Sequence, residues 1–230
     1  MHFDEFVLAA STAALADEPA AREHADAVEF RLDLADHGLR GLEAYSGRLP
    51  LIVTNRVFWE GGEAPDDQER IDRLLTAVEV DSVRAVDVEL EAVDACRPVI
   101  EHAREHDVAV IVSTHDFEQT PGREELESTL ERACTLGDVG KLAVTAESPE
   151  DVLALLAATR ARTVAGDTVA TMAMGEAGRH SRAVAPLYGS RIGYAPVDPT
   201  DATAPGQFEL ATLRTLVSTL RGEQRPGTEL

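Results

Sequence analysis

The stretch DVGKLAVTA, residues 138–146, holds a lysine in the middle of an apolar run. Lys141 is the chain's single lysine; the rest of its 21 strongly basic residues are arginines. Arginine can replace a lysine's charge but not its chemistry. A guanidinium stays protonated and is a poor nucleophile, whereas a desolvated amine can lose its proton near neutral pH and attack a ketone or aldehyde to form an imine. The bland alternative is a structural or substrate-pairing ammonium. A protonated imine is an electron sink that acidifies the adjacent carbon, so imine chemistry needs a base. His115, closing the run VAVIVSTH, is the best-placed of the 7 histidines, and an imidazole titrates in the right range. His24, His102 and His106 fall in helical stretches, His2 is terminal, and His37 and His180 are less clear.

Other polar residues recur where strands should be dry. Strand side chains alternate between faces. Glu29, Arg31 and Asp33 therefore share one face of AVEFRLD, and Asp87 and Glu89 share one face of VDVEL. Thr54 pairs in parity with Arg56, Ser113 with His115, and Lys141 with Val139 and Ala143. Burying such charges unpaired costs several kcal/mol each, so they form either a self-satisfied ion network or a reactive site. One of Asp87 and Glu89 can be a purely structural acceptor. NRVFWEGGEAP (55–65) is a glycine-bearing loop in which Glu60 can orient a histidine and Trp59, the only tryptophan, is expected to pack rather than recognise. MGEAGRHSR (174–182) offers Gly175 and Gly178 for tight turns and Arg182 for a bidentate grip on a carboxylate. TAPGQF (203–208) reads as a lid, with Thr203 and Gln207 as uncharged donors. No HxH or HExxH occurs, and neither a metal nor an organic cofactor is expected.

These residues need a scaffold. Eight short apolar runs, at 6–10, 27–32, 51–54, 84–90, 108–113, 139–144, 168–174 and 191–196, alternate with segments of helical periodicity. One apolar stripe runs through Val93, Cys96, Val99, Ile100 and Ala103, another through Ile71, Leu74, Leu75 and Val78, and a last through Leu210, Leu213, Leu216, Val217 and Leu220. Ser148 and Pro149 mark a helix start, and a further helix is expected around 37–46. The alternation predicts an α/β fold, a (β/α)₈ TIM barrel formed as one catalytic domain over residues 1–230, with chemistry at the C-terminal ends of the strands. An open doubly wound sheet is the alternative, but no GxGxxG follows the first run.

Composition narrows the setting. Forty-two acidic residues against 21 basic ones give a formal charge of -21, which repels nucleic acid and anionic lipid. Surplus acid with almost no lysine suggests a salt-rich cytoplasm. Cys96 and Cys134 make no disulfide framework and read as small buried thiols. No run approaches a membrane span, and MHFDEF does not resemble a signal peptide, so a cytoplasmic location is expected.

EFRLD (29–33), TNR with EGG (54–62), STHDF (113–117), GKLAV (140–144), MGEAGRHSR (174–182), YGS (188–190) and APGQ (204–207) occur in an order and spacing that resemble the type I 3-dehydroquinate dehydratases over nearly the whole chain. The resemblance implies a barrel, usually a homodimer, that dehydrates 3-dehydroquinate to 3-dehydroshikimate in the shikimate pathway without metal or cofactor. It implies that Lys141 is the Schiff-base lysine, His115 the general base, and Glu60 the acid that holds it. It also implies that Glu29, Arg31 and Arg56 bind substrate hydroxyls and shape the charge of the site. Arg182 would grip the substrate carboxylate with Gln207 from the closing loop. Thr203 departs from the serine common before APGQ, keeping the hydroxyl and adding a methyl. The rival readings are another Schiff-base barrel, such as an aldolase, and a non-catalytic binding barrel. A sugar-phosphate aldolase needs a phosphate cradle that MGEAGRHSR and TAPGQ do not supply.

Overall fold

Eight β-strands, β1 (Val7–Thr12), β2 (Ala27–Arg31), β3 (Leu51–Thr54), β4 (Val83–Glu89), β5 (Ala109–Asp116), β6 (Val139–Thr145), β7 (Val169–Met174) and β8 (Ile192–Pro196), pair in parallel in the order β7-β6-β5-β4-β3-β2-β1-β8. The computed structural model describes residues 1–64, 67–198, 200, 204 and 206–223. The ladder between β7 and β8 is not continuous. Their seam is closed by the Arg191 N–H on the Val169 carbonyl at 2.7 Å, and by the Ser190 hydroxyl accepting from the Thr171 N–H at 2.9 Å. The expected barrel is therefore what the chain forms, and each of the eight runs read from the sequence is a strand.

Helices follow the strands: α1 (Glu18–Ala21), α2 (Gly38–Glu43), α3 (Asp67–Val78), α4 (Arg97–Glu105), α5 (Arg123–Leu136), α6 (Pro149–Ala165), α7 (Gly175–Gly178), α8 (Ser181–Tyr188) and α9 (Leu210–Arg221). The start of α6 is a capping box: the Ser148 hydroxyl accepts from the Asp151 N–H, and the Asp151 carboxylate accepts from the Ser148 N–H at 2.8 Å. The segment around 37–46 yields only the short α2.

Strand alternation sorts the core into two environments. Outward residues such as Leu142 and Val144 pack with Leu130, Val152 and Leu155 beneath the helices. Inward residues at the lower end of the barrel are mostly small: Ala9, Ala27, Ala85, Ala109 and Ala170, filled in by Phe3, Ile52, Ile111 and Ile192. This floor is dry. One layer higher, the inward positions become Ser11, Glu29, Thr54, Asp87, Ser113 and Lys141, all buried. The change from alanine to charge along the same strands makes the top of the barrel a site and the bottom a plug.

Candidate active site

The upper interior is a charge network assembled from neighbouring strands. Parallel register sets Arg31 beside Thr54, Thr54 beside Asp87, Glu89 beside Ser113, and Ser113 beside Lys141. Lys141 Nζ donates to Asp87 Oδ2 at 2.9 Å and lies 3.8 Å from Glu29 Oε1. Its nearest charges are thus carboxylates. Arg56, just past β3, donates to Asp87 at 2.8 Å, Glu89 at 2.8 Å and the Ser113 hydroxyl at 2.7 Å. Glu89 also accepts from Arg70 on α3 at 2.7 Å. Glu29 accepts from the hydroxyls of Ser11 at 2.5 Å and Thr54 at 3.0 Å. Arg31 is paired bidentately with Asp33, at 2.9 and 2.7 Å.

Pairing decides these charge states. Burial disfavours the Asp87 carboxylate, but Arg56 and Lys141 outweigh it and hold Asp87 below the usual carboxylate range. Burial likewise opposes the Arg56 cation, and Asp87, Glu89 and Glu60 together push it up. Glu89, bridging Arg56 and Arg70, is the structural acceptor foreseen in the Asp87–Glu89 pair. Asp87 instead touches the lysine directly.

The loop after β3 brings Glu60 to His115 on β5. β5 runs on to Asp116, farther than the apolar run suggested, so His115 sits within the paired stretch opposite Ala143 of β6. Glu60 ends a short turn, Phe58–Glu60, closed by Gly61 in the left-handed region at φ 75°. Gly62 has its own reason to be glycine: a Cβ there would lie 2.0 Å from the Arg56 carbonyl oxygen. The turn presents Glu60 Oε2 to His115 Nδ1 at 2.8 Å. Burial, then Arg56, Lys141 and Arg31, drive the imidazole well below its ordinary range. Burial, reinforced by Glu89 and Asp87 against Arg56 and Lys141, pushes Glu60 up to about 8. Both groups are drawn toward neutrality, so the contact is a proton-sharing hydrogen bond rather than a permanent ion pair. Once Glu60 is ionised, it accepts from Nδ1–H and leaves Nε2 with a free lone pair.

One cavity gathers Lys141, His115, Glu60, Glu29, Arg31, Arg56, Arg182 and Gln207. Arg182, on α8, is buried, and that burial pushes it down to about 10. The loop bearing Gln207 is seated by glycines: Gly206, at φ 75°, approaches Gly175 so closely that a Cβ would lie 2.5 Å from the Gly175 oxygen. Beside it, the Arg179 guanidinium stacks over Phe208 at 4.5 Å. Of the residues to which the family resemblance gave a role, all but Thr203 line this cavity. Thr203 lies outside the described residues.

Two expectations need correction. Trp59 does not pack in a core: it is 47% exposed, edge-on to the more exposed Phe58. The ring that does stack on His115 is Phe117, at a centroid distance of 6.2 Å. Cys134 is only half-buried, unlike Cys96. Sequence reasoning passed over Arg70, which in an acidic helix reads as a solvent-facing residue, and Tyr194, whose only signal was its parity with inward Ile192. Among the described residues no cluster of His, Cys, Asp or Glu could hold a metal, and no helix is long and apolar enough to cross a membrane.

The family description "Type I 3-dehydroquinase" matches residues 7–224. A 3-dehydroquinate dehydratase of Haloarcula marismortui is 60% identical over 229 residues, covering 97% of this chain and 100% of the relative. Among solved structures, 3-dehydroquinate dehydratase from Geobacillus kaustophilus superposes with a TM-score of 0.86 at 30% identity, covering 96% of this chain and 93% of that one. The type I enzyme from Clostridium difficile, described with covalent modified comenic acid, gives 0.83 at 27% identity, covering 96% and 94%. The match spans all eight strands and every described residue of the cavity, and the chain belongs to the type I 3-dehydroquinase family.

Proposed function

We propose that this single catalytic barrel dehydrates 3-dehydroquinate to 3-dehydroshikimate through an imine on Lys141. The observation that carries the reading is one cavity in which a buried amine shares space with a Glu60–His115 pair and a buried arginine. Attack requires the neutral amine; the pair, when it holds a single proton, can accept one from nitrogen. Nζ bonds to the ketone carbon, and the carbonyl oxygen leaves as water. His115 then removes the proton from the adjacent carbon, with the imine nitrogen taking up the electron pair. As that pair returns to form the carbon–carbon double bond, the hydroxyl on the next carbon departs with the proton carried by His115. Hydrolysis of the imine frees the product and the lysine.

Arg182 and Gln207 would hold the substrate carboxylate, while Glu29, Arg31 and Arg56 meet its hydroxyls. Arg56 already donates to three protein groups, so its part is mainly to set the local positive field. That field matters because the whole chain, at -21, repels an anionic substrate. No metal or organic cofactor enters these steps. The homodimeric state and cytoplasmic location usual for the family belong to the same proposal, and sedimentation equilibrium in high salt tests the first.

The deciding experiment is borohydride reduction in the presence of 3-dehydroquinate, followed by mass spectrometry of the peptides. A reduced adduct on Lys141 is expected. Active enzyme without an adduct at that residue would sink the imine.

A further inference from the structure

β8 adds Tyr194 to the lining of the cavity. The Tyr194 side chain points inward beside Ala143, Met172 and Ile192, and only 4% of the residue is exposed. Lys141 Nζ lies over its ring, 4.3 Å from the centroid. The Tyr194 hydroxyl is buried and has no hydrogen-bond partner among the described residues. Burying a hydroxyl without a partner costs its desolvation, which a phenylalanine at this position would avoid while filling nearly the same volume. The hydroxyl therefore calls for an acceptor that arrives with the ligand.

Burial, then the charges of Glu29 and Asp87, drive this phenol well above its ordinary range. It keeps its proton throughout and acts by hydrogen bonding. We propose that the Tyr194 hydroxyl is a catalytic group that donates a hydrogen bond to the substrate's carbonyl oxygen while the imine at Lys141 forms and again while it is hydrolysed. This rests on Lys141 being the imine-forming residue. Nζ lies over the Tyr194 ring, so a carbonyl carbon bonded to it would stand beside that ring, and an O–H···O bond from the hydroxyl to its oxygen would span about 2.7 Å.

The nitrogen lone pair forms the carbon–nitrogen bond while the carbonyl π pair moves onto oxygen, whose developing negative charge the Tyr194 O–H stabilises without giving up its proton. One proton passes from nitrogen to that oxygen, yielding the carbinolamine. A second comes from the Glu60–His115 pair. The carbon–oxygen bond breaks, the oxygen leaves as water, and the remaining nitrogen pair completes the protonated imine.

Tyr194→Phe removes a buried hydroxyl that no described residue engages and is expected to fold with an unchanged or raised melting temperature. Rapid-quench borohydride trapping with 3-dehydroquinate should show the Lys141 adduct forming about 10²-fold more slowly than in the unaltered protein. Loss of a heavy-oxygen label from the substrate ketone, which requires the labelled oxygen to depart as water when the imine forms, should slow in parallel, with KM little changed. A packing role would not retard label loss while leaving KM unchanged and the melting temperature undiminished. Adduct formation and label loss at unaltered rates in Tyr194→Phe would overturn the proposal and leave the imine reading standing. Absence of any adduct in the unaltered protein would overturn the imine reading itself, and this proposal with it.

Discussion

In the proposed mechanism Lys141, His115 and Glu60 divide the chemistry between them, and each has a separable signature. Lys141→Ala should abolish both the borohydride-trapped adduct and turnover, because no other amine is available on the barrel strands. His115→Ala should still form adduct slowly while dehydration falls by about 10²–10⁴-fold, measured by product formation. Normal turnover by that variant would remove His115 as the base. Glu60 gives a pH prediction. Its carboxyl, raised to about 8, must ionise before Nε2 of His115 is free to act as a base. kcat/KM should therefore climb as pH rises through about 8, and the climb should vanish in Glu60→Gln, whose amide cannot ionise. The same shift fixes a sign for stability. A carboxyl raised on folding contributes stability that is complete below the ordinary carboxylate range and is lost as pH rises through about 8.

At the scale of elements, the site depends on loops whose backbones are more constrained than their side chains. Gly206 is the clearest: a methyl there meets the Gly175 oxygen at 2.5 Å, and φ is 75°. Gly206→Ala should displace Gln207 from the cavity, raising KM for 3-dehydroquinate by about ten-fold or more with the melting temperature nearly unchanged. The opposite pattern is expected at α6, whose capping box lies in a different connection from the loops bearing Glu60 and Gln207. Ser148→Ala should cost about 1 kcal/mol in chemical denaturation and leave kcat intact. A change in kcat there would show that the β6–α6 connection reaches Lys141, which the geometry gives no reason to expect.

For the whole molecule the governing quantity is charge. A chain at -21 repels itself, and added salt screens that repulsion over a Debye length of about 10 Å at 0.1 M and about 3 Å at 1 M. The melting temperature should rise with potassium chloride over this range, as followed by circular dichroism. A flat or falling curve would contradict the haloadapted reading. The buried network of Arg56, Asp87, Glu89 and Lys141 is shielded from that screening. kcat at saturating substrate should therefore vary with salt much less than stability does.

The sequence alone determined the barrel, because a parallel strand buried on both faces must be a short apolar run, and eight such runs separated by helical periodicity leave few topologies. It also exposed Lys141, His115 and the inward parity of Glu29, Arg31 and Asp87, since a charge in a dry strand violates its surroundings locally. Tertiary structure alone decided who pairs with whom. Asp87 stands against Lys141, and Arg70 reaches in from α3 to neutralise Glu89. The Glu60 carboxyl meets the His115 ring from 55 residues away in sequence. Pairing energies depend on distance and desolvation, and strand register and loop closure set both only when the whole cylinder is assembled.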